Sequence, residues 1–141
     1  LMIIDGTDNT DYFLYKFNLS KKDQKRLKLI NNFYKEKVKI TKLTEKNLNK
    51  IFYFNGKQAV IDIINFKLFT SNKVEKRLIQ LIKVYQDKLI PTMPIEANML
   101  MTKYNIPQGK TLGNKLKLIE EIWVNNSFNI SDKQVQKIVK G

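Results

Sequence analysis

The chain has 141 residues, of which 43% are hydrophobic and 28% charged, and its formal net charge is +13. That hydrophobic content excludes a mainly disordered protein and suffices for one ordinary domain or two small helical subdomains. The sequence contains no cysteine and no histidine, which excludes disulfides, thiolate zinc sites and catalysis by Ser–His–Asp or Cys–His groups. No apolar run approaches the ~18 residues of a transmembrane helix. We therefore expect a cytoplasmic protein with no membrane partner.

The first predicted elements are an opening segment over residues 1–19 and a helix over residues 20–37. Within the opening segment, residues 12–19 fit an extended or a helical conformation. Ser20 is a favourable N-cap for the helix that follows. The face opposite the apolar stripe of this helix carries Lys21, Lys25, Lys28 and Lys35. The first three are candidate phosphate-binding residues, and we call them the lysine row.

A row of charges on one helix is usually just a solvated surface. Here few acids compensate the lysines, which favours a contact with phosphate groups. Asp23 and Arg26 lie one helical turn apart, and this spacing predicts an ordinary surface ion pair between them. Because 26 basic residues face 13 acidic ones and only Arg26 and Arg77 are arginines, we expect a polyanionic partner bound through its phosphates.

The rest of the chain also has the spacing of helices and no alternating run typical of a strand. Helices are predicted over residues 44–53, 57–69, 72–89, 96–104, 112–125 and 131–141. Thr44 and Ser131 are the predicted N-caps of the first and the last of these helices, and Asn55-Gly56 is the predicted stop of the first. Phe54, Phe69 and Val74 are among the residues predicted at core-facing positions. The sequence thus predicts an all-α protein, a compact bundle of six to seven helices. We expect a helical body over residues 20–90 and a helical tail over residues 91–141.

The predicted tail contains a glycine-bearing turn, Ile106 to Gly113, that leads into a helix. Pro107 cannot continue the preceding helix, and glycines permit a sharp turn. Such a turn presents free amides and a positive dipole end to an anion. The candidate phosphate-binding residues beside it are Gly109, Lys110, Thr111, Gly113 and Lys115.

Three more specific interpretations of this turn are considered on its residues. A nucleotide-binding P-loop is excluded, because Tyr104 occupies the position of its first glycine and no strand precedes it. A helix–turn–helix hairpin that presents amides to one phosphate stays open. So does a structural role in which Gly113 lets two helices pack closely.

The order of elements over residues 93–128 is distinctive: Met93-Pro94-Ile95, a short helix, the turn Ile106 to Gly113, and a Leu- and Glu-rich helix that reaches Trp123. This order resembles the C-terminal region of the bacterial tRNA nucleotidyltransferase (CCA-adding enzyme) and poly(A) polymerase family. A looser likeness covers residues 15–141. The chain departs from the family pattern at Ala97-Asn98, where Gly-Asp is usual, and at Lys110, where proline is usual.

The resemblance implies a non-catalytic RNA-binding region that holds RNA, tRNA above all, so that its 3′ end reaches a catalytic head. The head motifs of the family, a Gly-Ser strand and two metal-binding aspartates, do not occur in this sequence. We therefore expect no catalytic residue, metal or cofactor in this segment. The parent protein, of which Leu1 before Met2 suggests an excised piece, would use Mg²⁺ and ATP or CTP at its N-terminal head, the partner of this region.

Two alternatives of other classes stay open. The first is a helix-hairpin-helix DNA-binding module. The second is a structural or protein-interaction helical domain whose charge is only compositional, because a Lys/Asn/Ile bias can reflect an AT-rich coding sequence.

Overall fold

The structure, a computed structural model, describes residues 9–35, 43–71 and 75–141, and every regular element in these ranges is an α-helix. Their bounds are α1 Thr10–Phe17, α2 Lys21–Lys35, α3 Glu45–Asn55, α4 Lys57–Thr70, α5 Lys76–Asp87, α6 Ala97–Tyr104, α7 Lys110–Asn125 and α8 Asp132–Lys140. The predicted all-α class is confirmed. The described ranges hold eight helices rather than six to seven, because α1 forms inside the predicted opening segment.

Local sequence sets most of the helix boundaries. Thr44 Oγ1 accepts a hydrogen bond from the Asn47 amide at 3.3 Å and caps α3. Ser131 and Gln134 form a reciprocal capping box at the start of α8. Gly56 adopts a φ of 81°, which favours glycine and lets the chain turn between α3 and α4. The predicted caps and the predicted stop are confirmed.

The described residues divide into two compact units. The first unit contains α1, α2, α4 and α5, and α2 packs against both α1 and α4. Its core comes largely from α4, the most apolar helix, with contributions from α2 and α5. The buried apolar side chains of this core are Leu14, Ile30, Ala59, Val60, Ile63, Ile64, Leu78 and Tyr85.

One residue predicted in the core of the first unit is exposed. Phe69 was predicted to be buried on α4, but its side chain is 88% exposed. It borders an open cavity of about 470 Å³ between α1, α2 and α4 and not a closed core. The start of the predicted helix over residues 72–89, with Val74 on its apolar face, lies outside the described residues.

The second unit contains α3, α6, α7 and α8, with α7 packed against each of the other three. Its main core cluster is Ile95, Leu100, Ile106, Leu112, Ile119 and Val135. Trp123 on α7 is buried and meets Tyr53 of α3 edge to face, with ring centroids 5.4 Å apart. Phe54 was predicted to face the core but is exposed, because successive helix residues point about 100° apart and Tyr53 takes the inward position.

Candidate nucleic-acid interface

The lysine row lies along α2 in the first unit. Lys21, Lys25 and Lys28 are exposed, and their spacing places them on one face of the helix. Lys28 Nζ lies 3.6 Å from Asp11 Oδ1 of α1. An exposed pair at this distance contributes little in water, so the row keeps most of its positive charge available to solvent anions.

Arg26 lies next to the lysine row on α2, but its guanidinium binds a carboxylate on the neighbouring helix α4. Its Nε and Nη2 donate to the two carboxylate oxygens of Asp62 on α4, at 2.7 and 2.8 Å. Gln58 donates a third hydrogen bond to the same carboxylate at 2.9 Å. The predicted pair with Asp23 also exists, at 3.4 Å. Asp23 is therefore a secondary partner of Arg26 and not the main one as predicted, because Asp62 forms a bidentate contact with the planar guanidinium.

The protonation of this pair follows from burial and hydrogen bonding. Burial by itself raises the pKa of Asp62, but hydrogen bonds from Arg26 and Gln58 outweigh it, so the pKa of this carboxyl lies below its ordinary value. The hydrogen bond to Asp62 raises the pKa of Arg26. Arg26 is therefore a structural cation. Asp62 was not predicted from the sequence, although a lone acid inside the most apolar helix is the signal of a paired carboxylate.

The glycine-bearing turn of the second unit is shorter than predicted. Helix α7 begins at Lys110, two residues before the predicted start, so Thr111 and Gly113 belong to its first turn. The Gly113 amide donates to the Gly109 carbonyl at 3.1 Å, as in a regular helix. The prediction that Gly113 is a turn residue is therefore wrong. Gly109 precedes α7 with a φ of 149°, a conformation that other residues rarely adopt.

The start of α7 brings four of the candidate residues together. Gly109, Lys110, Thr111 and Gly113 are all exposed. The first amides of a helix lack carbonyl partners within it, and Gly109 has no side chain to cap them. A Cβ built on Gly113 would meet no described atom within 4 Å, so close helix packing does not explain this glycine. What the geometry provides is an open, positively polarised helix end with one lysine beside it.

Lys115, the fifth candidate in this region, has a different role. Its Nζ donates to the carbonyls of Ile138 and Val139, each at 2.9 Å, at the C-terminal end of α8. Lys115 is half-buried there. A lysine at the negative end of a helix satisfies carbonyls that have no amide partner. Two of its three N–H groups are used in this way, so Lys115 primarily joins α7 to α8.

The part of the chain that the structure describes also bears on a metal site and on a membrane-spanning helix. There, no group of three or more acidic side chains is placed so that it could hold a metal ion. None of the described helices is both long and apolar enough to cross a bilayer.

Comparisons of the chain with protein-family models, with curated proteins and with solved structures find no match. The resemblance to the tRNA nucleotidyltransferase and poly(A) polymerase family therefore rests on the order of motifs over residues 93–128 alone.

Proposed function

We propose that this chain is a non-catalytic RNA-binding region, of the kind that forms the C-terminal part of a tRNA nucleotidyltransferase or a poly(A) polymerase. The observation that carries the proposal is the lysine row on α2, in a chain whose net charge is +13. Its three lysines span eight residues of helix, from Lys21 to Lys28, which is a rise of about 10 Å. A surface of this kind attracts the phosphates of a nucleic-acid backbone.

The arginines support binding to phosphates rather than reading of bases. Arg26 is held by Asp62, and Arg77, the only other arginine, is on α5 and not on the helix that carries the lysine row. Lysine is a point charge on a flexible stem and lacks the planar fork that recognises guanine edges. Binding through lysines therefore depends on the shape and charge of the RNA more than on its sequence.

The open start of α7 provides a second proposed contact. Lys110 and the first amides of the helix, from Lys110 to Leu112, suit one phosphate group, while Gly109 and Gly113 leave the approach free of side chains. In this proposal the region positions the RNA, tRNA above all, so that its 3′ end reaches a catalytic head in the same cytoplasmic protein. Mg²⁺ and ATP or CTP act at that head.

A salt series with tRNA tests phosphate binding. For wild-type protein, log K should fall linearly with log salt, by about 0.7–0.9 for each phosphate neutralised. The variant Lys21→Gln/Lys25→Gln/Lys28→Gln should bind more weakly and show a slope shallower by about 2–3. The matched control, Lys76→Gln/Lys83→Gln/Lys133→Gln, removes the same charge from exposed positions on α5 and α8.

Three outcomes would count against this proposal. The first is an affinity that barely changes with salt. The second is an equal loss for both triple variants, which indicates that only the total charge matters. The third is a Lys110→Ala variant and a lysine-row variant that both keep wild-type affinity, as a structural or protein-interaction domain predicts.

A helix-hairpin-helix DNA-binding module is the second candidate function. It is favoured by the packing of α6 against α7 across the turn that ends at Gly109. Competition between tRNA and a DNA duplex for the same protein separates the two candidates. Preference for the duplex would support the DNA-binding module and contradict the RNA proposal.

A further inference from the structure

The outward face of α1 carries two tyrosines that protein packing does not explain. Tyr15 is 87% exposed and Tyr12 is 64% exposed. They lie three residues apart, on the same side of the helix as Lys16, whose Nζ is 5.7 Å from the centre of the Tyr12 ring. Leu14 is buried on the other side of α1. The helix thus faces the first unit with its aliphatic side chain and solvent with its phenol rings.

The contact between Asp11 and Lys28 shows how the outward face of α1 is aligned with the lysine row on α2. Because α1 and α2 pack together and are joined by only three residues, they run antiparallel. Tyr15 lies one turn after Asp11, and Lys25 lies one turn before Lys28. In antiparallel helices, a step forward along α1 and a step backward along α2 go in the same direction in space. Tyr15 and Lys25 are therefore at about the same height along the helix axes. We therefore expect the ring of Tyr15 near the Lys25 position of the lysine row.

We propose that α1 and the lysine row together bind an unpaired stretch of RNA, with Tyr12 and Tyr15 as a platform on which bases stack. Single-stranded nucleic acid has both features that this surface matches, a chain of phosphates and a succession of flat rings. Stacking on aromatic side chains accepts any base, which fits a surface without arginine forks. This inference rests on the proposed function and specifies unpaired RNA as the ligand of the α2 surface.

The composition of the exposed face distinguishes this ligand from a lipid bilayer. An interfacial helix buries a broad apolar face of Leu, Phe or Trp side chains. On α1 the exposed rings are those of Tyr12, Tyr15 and, at the end of the helix, Phe17, and they are interspersed with the charged Asp11 and Lys16. Leu14 is buried and Phe13 is partly buried. If this face bound a bilayer, Asp11 and Lys16 would enter the lipid together with the rings, which is unfavourable. The charge pattern therefore favours nucleic acid, which carries both phosphates and flat bases.

The test uses the 141-residue chain and three fluorescent probes: a twelve-nucleotide oligouridylate, an abasic oligomer with the same number of phosphates, and an RNA duplex. Wild-type protein should bind oligouridylate at least tenfold more tightly than the abasic oligomer, since only the former can stack. Tyr12→Ala/Tyr15→Ala should lose this preference and leave the salt slope unchanged. Tyr12→Phe/Tyr15→Phe, which keeps the rings, should restore the preference. Phe54→Ala, which removes an exposed ring from α3, is the control.

The outcomes separate this inference from the proposed function. Equal affinity of wild-type protein for oligouridylate and the abasic oligomer overturns the stacking platform and needs no variant. If the lysine-row variant still has a shallower salt slope in that case, phosphate binding stands. Failure of every RNA probe to bind overturns both proposals. Binding of phosphatidylserine vesicles that depends on the tyrosines, with no effect of the tyrosines on RNA, overturns the inference in favour of a membrane surface.

Discussion

Arg26 on α2 and Asp62 on α4 form a two-point ion pair that joins the central helices of the first unit. Both oxygens of Asp62 accept hydrogen bonds from the guanidinium, at 2.7 and 2.8 Å. The Asp62 side chain is 7% exposed and that of Arg26 is 42% exposed. The carboxylate is therefore out of water and depends on its partners, whereas the arginine keeps part of its hydration.

We predict that Asp62→Asn lowers the free energy of unfolding by about 1–3 kcal/mol, because a buried two-point contact is lost. The loss lies below that of a fully buried pair, since Arg26 stays partly hydrated. Asp23→Asn, which removes the secondary partner of the same arginine, should cost at most about 1 kcal/mol. Urea unfolding followed by circular dichroism measures both, and equal losses would contradict the ranking of the two acids.

The same pair predicts how stability depends on pH. The folded-state pKa of Asp62 lies below its ordinary value of 3.8. A carboxyl with a lowered folded pKa contributes stability above its unfolded pKa, and this contribution is lost as the pH falls through the folded pKa. The difference between wild type and Asp62→Asn should thus be constant near neutral pH and shrink below about pH 4. A difference that persists unchanged to pH 2 would exclude this origin.

The two glycines at the start of α7 should respond oppositely to alanine. Gly109 has a φ of 149°, so Gly109→Ala should destabilise the protein by about 1–3 kcal/mol. Gly113 is a regular helix residue with open space at its Cβ position, so Gly113→Ala should stabilise it by about 0.5–1 kcal/mol. Thermal unfolding of the two variants provides the test. If both were destabilised, Gly113 would have a packing role that this structure does not contain.

The contact of Lys115 with the end of α8 predicts a structural effect of its removal. Lys115→Met keeps an unbranched apolar stem but loses both hydrogen bonds to the carbonyls of Ile138 and Val139, so we expect a loss of about 1 kcal/mol. The control Lys117→Met, at an exposed position on the same helix, should change stability by less than about 0.5 kcal/mol. Hydrogen exchange should localise the Lys115→Met effect to α8. An unchanged α8 would show that the contact is not stabilising.

Tyr53 predicts a change at alkaline pH. The Tyr53 hydroxyl donates a hydrogen bond to Glu120 Oε1 at 2.7 Å. Burial, which is the larger cause, and this hydrogen bond together raise the pKa of Tyr53 from 10.0 to about 12. A raised folded pKa contributes stability that is complete below pH 10 and is lost as the pH rises toward 12. Tyr53→Phe should cost about 1 kcal/mol at pH 7. That cost should shrink above pH 10, and a pH-independent cost in urea unfolding would contradict the assignment.

Most helices could be predicted from the sequence because their signals are local. Thr44 and Ser131 cap the helices that follow them, and Gly56 ends α3, through contacts between residues a few positions apart. Helix α1 could not be assigned in this way, because the pattern over residues 12–19 fits an extended conformation as well as a helix. It depends on packing against α2.

Part of the candidate interface was also accessible from the sequence. The three lysines of the row follow helical spacing, which alone places them on one face. The sequence thus determined the all-α class, most of the helix boundaries and the row itself. The tertiary structure alone decided that Arg26 pairs with Asp62, 36 residues away, that Lys115 joins α7 to α8, and that Lys28 of the lysine row lies beside Asp11 of α1. The reason is physical: caps and helical periodicity involve neighbours along the chain, whereas these contacts arise only when separate helices pack.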